Sequence, residues 1–394
     1  MPKLSIKDLD LKDKTVFIRA DFNVPLSPGA NEITSDKRIR AALPSIQYAI
    51  EHGAGVILAS HLGRPKGKRN PAMSLSPVAT RLSELLGKTV SMAPDCVGPE
   101  LAAMKPGPGE VLLLENLRFH PEEEANDPAF SRQLATLADL YVNDSFGTAH
   151  RAHASTVGMV THFPFAAAGL LMNSELEWLT RATRNPERPC VGLLGGAKVS
   201  DKIGVIQNLI TVVDKLLIGG AMAYTFLRAK NEPTGRSLVE EEKIDLARQL
   251  LATASSKLVL PLDHVVVREV KPAADHWVVA TIGPDEIAVD IGPRTIEEYA
   301  KIITGAKTVI WNGPMGIFEM PPFDHGTVEL AKAVAGSGAV SVVGGGDSEK
   351  AIKSAGVTAE ITHVSTGGGA SLEFLSGLEL PGVAALTEKI AAAR

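Results

Sequence analysis

Short apolar, largely β-branched runs recur along this chain. Each is followed by a glycine- or asparagine-rich turn and then by an amphipathic stretch. In the first half they fall at 15–19, 55–59, 111–114 and 140–142; in the second at 190–194, 215–218, 258–260, 308–311, 341–343 and 361–364. Between them, segments such as 77–86 and 240–253 carry the helical period. Nearly continuous apolar strands alternating with helices predict an α/β fold of doubly wound parallel sheets, covered on both faces. In such sheets ligands sit beyond the carboxyl ends of the strands, so the residues after each run are the ones to read for chemistry.

A length of 394 residues exceeds one comfortable core and predicts two domains. The first is placed at 1–172 and the second at 190–376. Residues 173–189 are expected to form an interdomain helix or hinge, with a helix over 175–184 stopped by Asn185-Pro186-Glu187-Arg188-Pro189. A net charge of −5 argues against a general nucleic-acid binder. Two distant cysteines, Cys96 and Cys190, fit a reducing compartment rather than a disulfide scaffold. The start of the chain lacks the apolar core of a signal peptide, and the longest nearly apolar stretch, 163–172, is too short to span a bilayer. The expectation is a cytoplasmic protein with no membrane or nucleic-acid partner.

The post-strand turns of the second half are rich in glycine: Gly195-Gly196, Gly219-Gly220, Gly344-Gly345-Gly346 and Gly367-Gly368-Gly369. The first reads as a strand that turns on two glycines and opens a helix, leaving free N–H groups toward an anion. Lys198 and Lys202, four apart, would share one face of that first turn. There they oppose the helix dipole and repel each other, so a bound anion, phosphate foremost, is expected to supply the negative charge. No turn matches the P-loop or the dinucleotide fingerprint. Asp347, after three glycines, admits two readings: an N-cap and a Mg²⁺ ligand beside phosphate. Glu319, beyond another strand, could bond a ribose.

The first half places polar and cationic residues after its strands instead. These are Arg19-Ala20-Asp21-Phe22-Asn23, His61-Leu62-Gly63-Arg64, Glu115-Asn116-Leu117-Arg118 and, farther on, His150-Arg151-Ala152-His153. Arginines after three strands converge on one sheet edge, and guanidinium forks bind phosphate and carboxylate bidentately. A small, highly anionic ligand is implied. The spacing of His61, His150 and His153 matches no common zinc pattern, and His61 reads as a donor to that anion. Residues 66–69 read as a solvated basic loop. No nucleophile elbow or activated cysteine is evident.

These blocks resemble the phosphoglycerate kinase family. The resemblance rests on Arg19 to Pro25, His61 to Pro65, Glu115 to Phe119, Ala149 to His153, Gly195 to Lys202, Trp311 to Pro314, Gly344 to Asp347 and Ser365 to Ala370, in the family's order. It implies two Rossmann-like domains that close over their substrates, a helical hinge, and a C-terminal segment, 377–394, returning to the first domain. It also implies transfer of phosphoryl between Mg-ATP and the carboxylate of 3-phosphoglycerate in glycolysis, by a monomer. By family role, Asp21, Phe22, Asn23, Arg38, His61, Leu62, Gly63, Arg64, Arg118 and Arg151 would bind 3-phosphoglycerate. Arg38 would also orient the carboxylate, Lys198 would follow the transferring group, and Gly368 would present backbone N–H in the transition state. Lys202, Asn312, Glu319, Gly345, Gly346, Asp347 and Ser348 would bind nucleotide, with Asp347 toward Mg²⁺. Two departures stand out: Ser348 replaces the family's usual Thr, and Ala288 replaces a glycine near the nucleotide.

Overall fold

The computed structural model describes residues 2–27, 29 and 32–389. The chain divides into two units, one running to Leu176 and resuming at Glu379, the other covering Glu177–Leu378.

The first unit is built on six parallel strands: β1 (Thr15–Arg19), β2 (Gly55–Ala59), β3 (Val90–Met92), β4 (Val111–Leu113), β5 (Leu140–Asn143) and β6 (Ala166–Ala168), in the order β3-β4-β2-β1-β5-β6. β1, β2 and β4 are buried along their whole length, the consequence of covering both faces of a parallel sheet. The helix Lys37–Glu51 buries Ile39, Ala42, Ile46 and Ala49, the three-and-four spacing of an apolar stripe, and they join Val16, Ile18, Val56 and Leu58 in one core. Strand order reverses at β1, where polar residues of β1, β2 and β5 meet at the carboxyl edge.

The second unit has its own six parallel strands: β7 (Cys190–Leu194), β8 (Lys215–Ile218), β9 (Leu258–Val259) and, after an excursion, β13 (Thr308–Asn312), β14 (Val340–Gly344) and β15 (His363–Val364), in the order β15-β14-β13-β7-β8-β9. The excursion is a three-stranded antiparallel sheet of β10 (His264–Val267), β11 (His276–Val279) and β12 (Ile287–Ile291). The apolar-run reading does not foresee it. β11 alternates exposed and half-buried residues, and β12 carries Asp290 inside an apolar stretch. The short β3 and the all-alanine β6 also fall below that signal.

The helix connecting the units runs over Leu170–Arg184, five residues earlier than the sequence pattern suggests. Its first N–H groups find buried partners that no local pattern reveals: Leu170 donates to Ser45 Oγ (2.8 Å) and Met172 to Asp144 Oδ1 (3.0 Å). Such partners are what a helix start requires. At the other end of the chain, Gly382 N–H donates to Ala149 O (2.8 Å), Thr387 N–H to Ala166 O (3.0 Å) and Leu4 N–H to Thr387 O (2.8 Å). These bonds all lie within the first unit; residues 390–394 of the expected returning segment lie outside the described residues.

Candidate active site

At the carboxyl edge of the first sheet, cations outnumber their partners. Arg19 ends β1 and is 1 % exposed. Its Nε donates to Ser155 Oγ at 2.8 Å and its Nη2 to His61 Nδ1 at 3.3 Å. Arg118 lies on the tight turn Leu117–Phe119 after β4, donating to Gly63 O at 3.0 Å with Glu124 3.2 Å from its Nε. Arg38, in the first turn of Lys37–Glu51, pairs with Asp21. Asn23 Oδ1 accepts from Gly63 N–H at 2.8 Å, and Asn116 Nδ2 donates to Leu62 O at 2.7 Å, so the three post-strand loops are laced together. Phe22 and Leu62 bury their side chains in the core, leaving only their backbone for a ligand. Arg64 is exposed and Arg151 half-buried at the same edge.

The electrostatics show that these groups share one field. Burial, then the charges of Arg19, Arg118 and Arg38, drives the His61 pKa well below its usual value against the pull of Asp21. Burial with Arg19, Arg118 and Arg151 pushes His153 down to about 4. Burial would raise the Asp21 carboxyl, but His61, Arg38 and Arg19 outweigh it and hold it below the usual range. With His61 neutral at pH 7, the two arginines are the charges that do so. Burial is the larger cause of both histidine shifts, and the arginine charges that add to it are of the sign that attracts anions.

The second sheet ends differently. Its turns are backbone surfaces, and several tolerate no side chain. Gly220 (φ +66°) lies where a Cβ would sit 2.5 Å from Gly196 N, and Gly345 (φ +95°) where one would sit 3.0 Å from Asn312 Nδ2. Asn312, buried at the end of β13, donates to Gly344 O at 2.9 Å and accepts from Lys202 Nζ. Burial lowers the Lys202 pKa, opposed by Asp201 and Asp347. Asp347 itself is exposed in the first turn of Gly346–Ser354, 3.1 Å from Lys350. Ser348 is fully buried, its Oγ accepting from Gly313 N–H at 2.6 Å, which fixes the turn from beneath. Gly368 (φ +51°) precedes the helix Gly369–Leu375 with open space around it. Glu319 is exposed on the loop after β13.

One expectation needs correction. Lys198 and Lys202 do not share a helical face: Lys198 is exposed on the irregular turn, a 3₁₀ turn covers Ser200–Lys202, and the helix begins only at Ile203. The negative charge at this start comes from within the chain, as Glu240 accepts from Ser200 N–H (3.0 Å) and Ser200 Oγ (2.5 Å). No bound anion is needed to supply it, and the Lys198 ammonium stands exposed beside the turn. Ala288, the second departure, packs its methyl among Tyr224, Leu227, Val266 and Ile282.

Among the described residues one trio has metal-ligand chemistry, Asp95, Cys96 and His120. Burial, with Asp95 and Glu123, holds the Cys96 thiol well above its usual pKa, and it donates to Glu115 O at 2.8 Å. It is a structural thiol beside an Asp–His pair.

Two parallel α/β units, one ending in a buried cationic basin and the other in glycine turns with two lysines, define a phosphotransferase that handles small anions. The chain matches the phosphoglycerate kinase family over residues 6–378. It is 70% identical over 389 residues to the phosphoglycerate kinase of Solibacter usitatus, covering 98% of this chain and all of that relative. It is 58% identical to that of Moorella thermoacetica, covering 99% and 100%. The solved phosphoglycerate kinase of Coxiella burnetii superposes with a TM-score of 0.92 at 44% identity over 98% of both chains. The chain belongs to the phosphoglycerate kinase family. No helix among the described residues is long and apolar enough to cross a membrane.

Proposed function

We propose that this chain transfers the γ-phosphoryl group of Mg-ATP reversibly to the carboxylate of 3-phosphoglycerate, giving ADP and 1,3-bisphosphoglycerate. The observation that carries the reading is the gathering of arginines at one sheet edge: Arg19 on His61, Arg38 on Asp21 and Arg118 on the Gly63 carbonyl, with Arg151 close enough to act on His153. A triply charged small anion fits such a basin. Arg64, Arg118 and Arg151 hold its phosphate, and Arg38 orients the reacting carboxylate. Asp21 and Asn23 bond the substrate hydroxyl, with the backbone of Phe22, Leu62 and Gly63 closing the contact. His61 donates from Nε2, because Arg19 can only donate to its Nδ1.

On the nucleotide side, Lys202, the Gly345-Gly346 turn and the start of the helix held by Ser348 take the phosphates, with Asn312 and Glu319 toward the sugar. Lys198 accompanies the transferring phosphoryl group, and Gly368 offers backbone N–H to its oxygens. The substrate carboxylate attacks phosphorus directly, so the protein needs no covalent intermediate; its task is positioning and charge neutralisation. Asp347 fits Mg²⁺: it is a single exposed hard-oxygen ligand beside a phosphate cradle, and this ion favours one or two carboxylates plus phosphate oxygens. When bound, Mg²⁺ neutralises phosphate charge. The same reading has a cytoplasmic monomer acting on small molecules, with no nucleic-acid partner, supported by the acidic net charge.

The test is ADP formation from ATP, Mg²⁺ and 3-phosphoglycerate, run beside Lys198→Ala. Turnover should require phosphoglycerate and fall about 10²- to 10³-fold in the variant, the usual loss of a transition-state donor. A folded wild-type chain without turnover would overturn the proposal.

A further inference from the structure

Behind the basin lies a buried chain of hydrogen bonds whose inner members, Glu123 and Ser155, the reaction as described leaves without a role. Glu123, on the four-residue helix Pro121–Glu124, is fully buried. Its Oε1 accepts from Ser155 Oγ at 2.6 Å and its Oε2 from Ser155 N–H at 2.9 Å. Ser155 Oγ in turn accepts from Arg19 Nε at 2.8 Å, and Arg19 Nη2 donates to His61 Nδ1 at 3.3 Å. The donors diverge from Arg19, one toward Ser155 and Glu123 and one toward His61. The serine hydroxyl has a single proton, given to Glu123, so its lone pairs face Arg19. A guanidinium has no lone pair to offer, so His61 Nδ1 must be the acceptor. With the imidazole held neutral, its remaining proton is on Nε2.

We propose that Glu123 and Ser155 are positioning residues for the 3-phosphoglycerate site: they orient Arg19, and Arg19 locks His61 as the Nε2–H tautomer, an obligate donor to the substrate. The proposal rests on the reading that His61 meets that substrate. The geometry has a further consequence. Glu123 O also accepts from Ala154 N–H at 2.9 Å, so the same carboxylate residue fixes the loop carrying Arg151. Glu123 thus holds Ser155 by its carboxylate and the stretch after Arg151 by its backbone carbonyl; truncating its side chain leaves the Ser155 N–H and O–H without acceptors in a dry site, and the hydroxyl that Arg19 bonds without an anchor.

The experiment reads tautomer and binding together. Long-range ¹H–¹⁵N spectra of the imidazoles are recorded for the full chain and for Ser155→Ala, Ser155→Thr and Glu123→Gln, with His61→Ala to assign the signal. KM for 3-phosphoglycerate and for ATP is measured on each. Wild type should show protonated Nε2 and bare Nδ1 at His61. Ser155→Ala should mix the tautomers and raise KM for 3-phosphoglycerate about tenfold with KM for ATP unchanged; Ser155→Thr, which keeps the hydroxyl, should restore both. Glu123→Gln, which keeps shape and one acceptor, should give a smaller shift of the same kind. A wild-type His61 protonated at Nδ1, or a Ser155→Ala enzyme with unchanged tautomer and KM, would overturn the relay. Unchanged KM in His61→Ala would instead remove the substrate contact on which the relay rests, while the tautomer spectra would still judge the relay itself.

Discussion

The two sheets end in opposite materials. The first presents side chains at its carboxyl edge: Arg19, Arg38 and Arg118, tied by Ser155, Asp21 and Glu124 in turn. The second presents backbone: glycines at positive φ, some packed so closely that a methyl group has no room. Side-chain recognition suits a ligand that must be told apart by the placement of its carboxylate, hydroxyl and phosphate. Backbone recognition suits a polyphosphate, whose repeated oxygens need only N–H groups and a few cations. On the proposed function, specificity at the first edge rests on long side chains and the residues that orient them. At the second it rests on backbone conformation, with Lys198 and Lys202 as the cations.

The largest expected break in this comparison comes from a single basin arginine. Arg118→Ala removes a nearly buried guanidinium whose pKa burial lowers and Glu124 supports. KM for 3-phosphoglycerate should rise on the order of a hundredfold, the scale of a charge-assisted contact, while KM for ATP stays put. Initial-rate kinetics with each substrate varied in turn decide it. Equal damage to both KM values would mean that the two edges are not separate recognition surfaces.

A second prediction compares how the units bury acid. Asp144 accepts from the start of the connecting helix and from Ser45, and burial raises its carboxyl to about 6 against those hydrogen bonds. In the other unit Asp290 accepts from Gly326 N–H (2.7 Å) in the first turn of the helix His325–Gly336, and burial raises it to about 8. In both, the folded pKa lies above the unfolded value. The folded state therefore holds the extra proton, and the stability contribution falls as pH rises from about 4, levelling off above the folded pKa. Asp144→Asn should therefore gain on wild type by on the order of 2 kcal/mol between pH 4 and 7, by denaturant unfolding at several pH values. Asp290→Asn should keep gaining to about pH 8. A gap independent of pH would show that folding leaves both carboxyls at their unfolded pKa values.

How much of this was legible differs between the two edges for the same physical reason. Parallel strands buried on both faces leave continuous apolar runs, so β1, β2, β7, β8 and β13 can be read directly, and the arginines and glycines after them follow from strand polarity. The small antiparallel sheet cannot be read that way, because β11 faces solvent on alternate positions and Asp290 interrupts the apolar run of β12. Among the site's supporting residues, Glu123 sits in the run Glu122-Glu123-Glu124, which resembles a solvated face; only packing buries the middle one. Glu240 lies 40 residues from the Ser200 it caps, a partnership that local sequence does not contain. The groups proposed to touch ligand were therefore legible, and those that aim or neutralise them were not.

The smallest effect is expected where the backbone surface of the second unit carries an added methyl. Ala288 lies on β12, its N–H donating to Ser237 Oγ at 2.9 Å and its side chain packed into the small cluster around Tyr224 and Val266. A glycine there, as the family usually has, would leave that cluster short of one methyl and free the backbone, at a cost of about 1 kcal/mol. If the methyl serves only packing, Ala288→Gly lowers stability by that amount and leaves KM for ATP as it was. If it also borders the base, KM for ATP changes a few-fold and the ratio of ATP to GTP turnover moves with it, while KM for 3-phosphoglycerate stays fixed. That ratio, measured on both proteins, separates packing from recognition at Ala288.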